Sequence, residues 1–206
     1  MMGMEGLAIK EIVRIGVISD THIPDRVREL HPDVIPTFRQ HEVDLIIHAG
    51  DISTPKVIFD LEEIAPVLAV RGNRDFWLMK KLSDQETITI NGVKIFVTHG
   101  QGNILSYVLD KIPNFIFGYR FERFFRKILP RSKDFDLFIF GHSHRVENKW
   151  IEGKLFFNPG SASEPGVDKA GPSIGLIEIW NEGRIEAQII RLENLKCIKG
   201  KWVRFL

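Results

Sequence analysis

Five short apolar runs in this chain each end on a polar group able to bind a cation, usually beside a glycine. Ile15–Ile18 runs into Ser19-Asp20-Thr21-His22, and Val43–Ile47 into His48-Ala49-Gly50-Asp51. Val67–Val70 leads to Arg71-Gly72-Asn73-Arg74-Asp75, Val93–Val97 to Thr98-His99-Gly100, and Leu137–Phe140 to Gly141-His142-Ser143-His144. Short apolar runs alternating with amphipathic stretches are the pattern of a layered α/β protein. In open α/β sheets, ligands bind beyond the carboxyl ends of the strands. The reading is therefore that Asp20, His22, Asp51, Asn73, His99, His142 and His144 converge on one surface.

The remaining elements fit the same class. Asn91-Gly92 between Thr87–Ile90 and Val93–Val97 is a strong hairpin signal. Lys149–Ile151 and Leu155–Phe157 form a second expected hairpin, and Ile174–Trp180 and Arg184–Ile190 a third. Ser53 or Thr54 can cap a helix with Pro55 in its first turn and Val57, Ile58, Leu61 and Ile64 at helical spacing. Further helices are expected over Val34–Gln40 and Phe76–Leu82. With no internal repeat or low-complexity linker, the expectation is a single domain over 1–206. A chain of that length buries roughly 70% of its unfolded surface and needs no staples.

Charge and cysteine content narrow the function classes. Lys+Arg 28 against Asp+Glu 27 leaves a net charge of +1, which argues against wholesale wrapping in nucleic acid and leaves local basic patches. The single cysteine, Cys197, cannot form an intrachain disulfide. No apolar run approaches the roughly 18 residues of a membrane span, and Met1–Leu7 lacks the basic lead and apolar core of a signal peptide. The expected location is cytoplasmic.

Two Asp, one Asn and four His offer oxygen and imidazole donors without thiolate. That mix suits Mn, Fe, Co, Ni or Zn better than Ca. Seven side chains exceed the positions of one ion but suit two ions sharing a bridging carboxylate. A pair roughly 3.5–4 Å apart clamps an in-line displacement at phosphorus and generates a hydroxide nucleophile. Taken singly, each residue has a plainer reading. Asp20 or Asp51 is a turn or cap residue, Gly72-Asn73-Arg74-Asp75 a turn, and His99 a hydrogen-bonded core histidine. The joint placement favours the metal site. His31 and His41 are read as solvated, and His48 as supporting the site or packing beneath it.

In this order, Asp20-Thr21-His22, Gly50-Asp51, Gly72-Asn73-Arg74-Asp75, His99-Gly100 and Gly141-His142-Ser143-His144 resemble the motif blocks of the calcineurin-like metallophosphoesterases. Asn158-Pro159-Gly160-Ser161 and the following strand resemble its small single-domain branch, which includes the catalytically dead retromer subunit. The resemblance spans about Val13–Arg191. It implies an αββα four-layer sandwich, two β-sheets flanked by helices, with a binuclear metal centre at one edge. Carried over by motif, one ion falls to Asp20, His22, Asp51 and His144. The other falls to Asp51, Asn73, His99 and His142, with Asp51 as bridge. Manganese is ranked first, with Fe, Ni, Co or Zn also suited.

Two departures from the family pattern stand out. Arg74 occupies the place of a His held to contact the scissile phosphate and protonate the leaving group. An arginine can grip a phosphate oxygen but cannot act as a general acid near neutral pH. Asp75 is expected to orient Arg74 or to serve the turn. Gln101 stands where small relatives often carry a second His. A segment around 103–135 is longer than the smallest relatives need. Within it, Phe115, Phe117, Tyr119, Phe121, Phe124 and Phe125 interleave with cations, and residues 118–133 hold six cations and one anion, Glu122. An amphipathic helix packed on a sheet, a lid attracting phosphorylated substrate, a base-stacking surface and a membrane-surface contact are its readings, in that order.

The expected function is a metal-dependent phosphoesterase, more specifically a phosphodiesterase, with Asn73, Arg74, His99 and Asp75 as its catalytic group. Its partner would be a small phosphate ester or a nucleotide, with nucleic acid as a further class and a homodimer as one open assembly. The rivals are a nuclease acting on single strands and a retromer-like protein-binding scaffold.

Overall fold

The computed structural model describes residues 10–75, 81–100, 134–163 and 171–204. The expected helix at Phe76–Leu82, Gln101 and residues 103–133 of the aromatic and basic segment fall wholly or mostly outside these.

β1 (Ile12–Ile18) is buried on both faces along most of its length. It lies parallel to β2 (Leu45–His48), which lies parallel to β3 (Val67–Ala69). A strand covered on both faces reads as a continuous apolar run, which is what Ile15–Ile18 and Leu45–Ile47 supply. Two antiparallel strands, β9 (Ser173–Trp180) and β10 (Ile185–Arg191), extend this sheet on the other side of β1, giving the order β10-β9-β1-β2-β3. The second sheet is built from β4 (Gln85–Ile90), β5 (Val93–Thr98), β6 (Leu137–Ile139), β7 (Val146–Ile151) and β8 (Lys154–Pro159), in the order β4-β5-β6-β8-β7. Its strands β5, β6 and β8 run parallel, and the expected hairpins close it at either edge.

The alternation of side chains decides which faces meet. Val13, Ile15, Val17, Leu45 and Ile47 of the first sheet pack against Ile95, Val97, Leu137, Ile139, Leu155 and Phe157 of the second. Their neighbours Ile18, Ile46, Ile174 and Leu176 turn to the opposite face, where Val34 and Phe38 of α1 (Val34–Gln40) and Val57 and Leu61 of α2 (Pro55–Glu62) cover them. Pro36 sits in the first turn of α1, where its missing N–H costs no helical bond. On the second sheet, Phe96, Phe138 and Phe156 turn outward and form a buried aromatic cluster with Phe135 and Phe140. Among the described residues no helix lies on that face.

One element was not foreseen. β11 (Leu195–Ile198) and β12 (Lys201–Arg204) form a separate hairpin. Trp202 donates its indole N–H to the carbonyl of Glu29 at 3.0 Å. Its ring meets His31 edge-on, with centroids 4.5 Å apart. His31 is consequently buried rather than solvated. Its polar neighbours in sequence concealed a covering side chain some 170 residues away. Among the described residues no helix is long and apolar enough to cross a membrane.

Candidate metal centre

All seven expected ligands gather at the carboxyl ends of β1, β2, β3, β5 and β6. The parallel register carries Asp20 and His22 to the loop after β2, where Asp20 N–H donates to Gly50 O at 3.0 Å and His22 N–H to Asp51 O at 3.1 Å. Asp20, His22, Asp51, His142 and His144 all adopt positive φ, between 49° and 66°. Left-handed backbone at non-glycine residues is costly and persists where surrounding bonds over-determine it. Here the hydroxyls of Ser161 and Ser163 both donate to Asp20 O, at 3.0 and 2.9 Å. Asn158 ties down the His142–His144 loop by donating to Gly141 O at 2.9 Å.

The motif glycines have a direct steric cause. A Cβ on Gly72 would lie 2.2 Å from both the amide nitrogen and Oδ1 of Asp51. One on Gly141 would lie 2.0 Å from Ser19 Oγ and 2.9 Å from Asp20 Oδ2. The backbone is therefore packed against the carboxylates themselves.

The ligand atoms form two overlapping groups. Asp20, His22 and His144 bring one ligand atom each within 4.8 Å of one another, as do Asp20, Asp51 and His99. His144 Nε2 stands 3.1 Å from Asp20 Oδ1 and 3.2 Å from His22 Nε2. His99 Nε2 is 3.4 Å from Asp51 Oδ1, whereas Asp51 Oδ2 is 3.8 Å from His22 Nε2. Asp51 thus turns one oxygen toward each group, and Asp20 belongs to both. His142 Nδ1 and Asn73 Oδ1 contact each other at 3.0 Å beside the second group, and the His142 ring lies 5.1 Å from that of His99.

Hydrogen bonding fixes which atoms are left over. His99 Nδ1 donates to Ala49 O at 2.7 Å, which aims Nε2 into the site. Asp20 Oδ2 accepts from Ser19 Oγ and from His142 N–H, leaving Oδ1 turned to the imidazoles of His144 and His99. Asp20 Oδ1 and His99 Nε2 are both buried without a hydrogen-bond partner. Buried polar atoms are otherwise almost always paired, and a buried carboxylate oxygen beside a second carboxylate is what a cation satisfies. The donor set therefore fits a divalent metal centre.

Protonation agrees with that fit. Burial alone would raise the Asp20 carboxyl, but His99, His144 and His22 outweigh it and hold it well below the ordinary carboxylate range. Asp51 is lowered in the same way, chiefly by His99 against its own burial. Burial pushes His22 and His142 down to about 4, so both are neutral lone-pair donors at neutral pH. His99 is the exception. Its burial is outweighed by Asp51 and Asp20, and it is pushed up to about 9.

Asp75 does not orient Arg74. It is fully buried, and its carboxylate accepts the backbone N–H groups of Ile52, Ser53 and Gly72 at 2.7–2.9 Å, stitching the loop after β2 to the loop after β3. Burial raises its pKa. Arg74 instead gives its backbone N–H to Asp51 Oδ1 at 2.7 Å, and its half-exposed guanidinium lies 3.8 Å from Asp25 Oδ2. Sequence reasoning missed Ser161, Ser163 and Asn158 as supports of the ligand loops. Short polar residues around Gly160 at a strand end were the available signal.

A model of the calcineurin-like phosphoesterase superfamily domain matches residues 13–182. The chain belongs to that superfamily. The "Probable metallophosphoesterase" of Methanothermobacter thermautotrophicus is 32% identical over 183 residues, covering 89% of this chain and 95% of the relative. The "Phosphodiesterase" of Methanocaldococcus jannaschii is 26% identical, over 81% of this chain and 93% of its own. Among solved structures, zinc-complexed wild-type Vps29 of Entamoeba histolytica superposes with a TM-score of 0.63 at 26% identity, covering 88% of this chain and 100% of that one. Its two mixed sheets are those of the metallophosphoesterase fold.

Proposed function

We propose that this metallophosphoesterase is a binuclear phosphodiesterase. The buried Asp20 Oδ1 and His99 Nε2, which lack hydrogen-bond partners and cluster with Asp51, carry the reading. Asp20, His22, Asp51 and His144 would hold one ion, and Asp51, Asn73, His99 and His142 the other, with Asp51 shared. When bound, two divalent ions polarise phosphoryl oxygens and make water nucleophilic near neutral pH.

The chain's own groups supply the rest. Asp51 is held ionised chiefly by His99 and fixed in place by the Arg74 N–H, so its two oxygens keep separate directions. Asn73 steers the His142 ring through its amide oxygen. The Arg74 guanidinium, at the rim, offsets negative charge on the phosphoryl oxygens but donates no proton. Asp75 acts by holding two ligand loops together. Lacking a titratable acid at position 74, the site favours esters with good leaving groups, and the "Phosphodiesterase" relative supports diesters over monoesters. Manganese is the proposed ion, and the zinc in the Vps29 structure supports a divalent cation. The single cysteine fits a reducing, cytoplasmic setting.

The Vps29 likeness also supports a second reading, a protein-binding scaffold. Retention of all seven ligands favours the enzyme. A panel of Mn, Zn, Ni and Fe against an aryl phosphodiester, its monoester, cyclic nucleotides and short oligonucleotides decides between them. Metal-dependent turnover of the diester supports the enzyme. Inertness with every metal and substrate supports the scaffold, and salt-sensitive cleavage of oligonucleotides alone supports a nuclease.

A further inference from the structure

We propose that His48 is a positioning residue that locks the two principal ligand loops, Asp20–His22 and Gly50–Asp51, into one unit, an inference that rests on the metal-binding reading above. His48 ends β2, the strand between β1 and β3, and pairs with Ile18 on one side and Ala69 on the other. Its backbone is therefore held from both flanks, and its side chain is fully buried beneath the site. None of its atoms is needed as a metal ligand.

Its two nitrogens meet one loop each. Gly50 N–H donates to Nδ1 at 3.2 Å, so Nδ1 carries the lone pair and the ring proton sits on Nε2. Nε2 lies 3.2 Å from Thr21 Oγ1, between the ligands Asp20 and His22, and donates to it. The Thr21 hydroxyl proton then has the carbonyls of Ile52 and Asp51 within 3.2 and 3.4 Å. Every bond in this chain has one direction only, so the tautomer is determined. Burial drives the His48 pKa down to about 3, which keeps the acceptor available at any working pH. A neutral imidazole is one of the few side chains with an acceptor and a donor at opposite edges of a rigid ring. Groups that orient metal ligands in this way typically change metal affinity about 10–100-fold when removed.

The test is Mn²⁺ binding, measured by calorimetry alongside the thermal midpoint of the metal-free protein. His48→Leu should weaken Mn²⁺ about tenfold or more. His48→Asn keeps an acceptor near Gly50, and His48→Gln keeps a donor near Thr21, so each should recover part of the loss. Thr21→Val, which leaves every ligand and the ring in place, should weaken Mn²⁺ too. Combined with His48→Asn it should cost less than the product of the separate factors, because both cut the same link. Mn²⁺ affinity within about twofold of wild type in Thr21→Val and the folded His48 variants, or strictly multiplicative losses, would overturn the proposal. Wild-type protein that binds no Mn²⁺ would instead remove the metal-site reading and this one with it.

Discussion

His99 Nε2 faces Asp51 Oδ1 across 3.4 Å with no hydrogen bond of its own, while its Nδ1 is committed to Ala49. In the metal-free protein this nitrogen holds a proton to about pH 9 because Asp51 and Asp20 favour the charged ring over the effect of burial. A metal must displace that proton. Calorimetry at pH 7.5 in buffers of different ionisation enthalpy should therefore register about one proton released per chain, and affinity should rise with pH toward 9. His22 and His142, already neutral, should contribute none.

The same shift has a consequence for stability without metal. The folded His99 pKa lies above its ordinary value of 6.5, so its contribution is fully present below about 6.5 and is lost as pH rises through 9. Metal-free protein should lose thermal stability over that interval, and His99→Gln should flatten the loss, as read from melting curves at stepped pH.

Asp51→Asn and His99→Ala should each abolish turnover and leave the fold intact. A residue that only orients a ligand costs about 10–100-fold, so loss of a ligand should leave less than about one-hundredth of the activity. Circular dichroism of each purified variant provides the folding control, and full activity in either would refute the assignment.

Gly72→Ala and Asp75→Leu test the scaffolding of the site. The added methyl must displace Asp51, whose nitrogen and Oδ1 would both lie 2.2 Å away. Overpacking of this kind costs about 1–3 kcal/mol and should also weaken metal uptake. Asp75→Leu strands three buried N–H groups, at about 1–3 kcal/mol for each one left unsatisfied. Denaturant melts of the metal-free variants measure both.

Arg74→His should restore a titratable acid at the rim. Its kcat/KM profile should gain an ionisation near 6.5, and turnover should improve most for esters with poor leaving groups. An unchanged pH profile would show that position 74 does not reach the leaving group.

The convergence of the proposed ligands was legible because each stands just past the end of an apolar strand. An apolar run of four that stops at Asp or His beside Gly is readable without knowing the fold, and the parallel register of β1, β2 and β3 does the rest. Hairpins with Asn91-Gly92 or Asn181-Glu182-Gly183 were legible for the same local reason. What could not be read was contact between distant segments. The burial of His31 depends on Trp202, and the role of Asp75 depends on N–H groups from two loops. Of the two roles expected for Asp75, the turn is the one it serves, because three fixed backbone donors surround a buried carboxylate more completely than the flexible guanidinium of Arg74 at the surface.

Equilibrium dialysis of chelator-treated protein against Mn²⁺, followed by elemental analysis, addresses the central claim most directly. About two ions per chain should be retained, falling in Asp51→Asn, where the shared carboxylate is lost. Wild-type protein that retains no ion, or an Asp51→Asn variant that retains as many as wild type, would contradict the account.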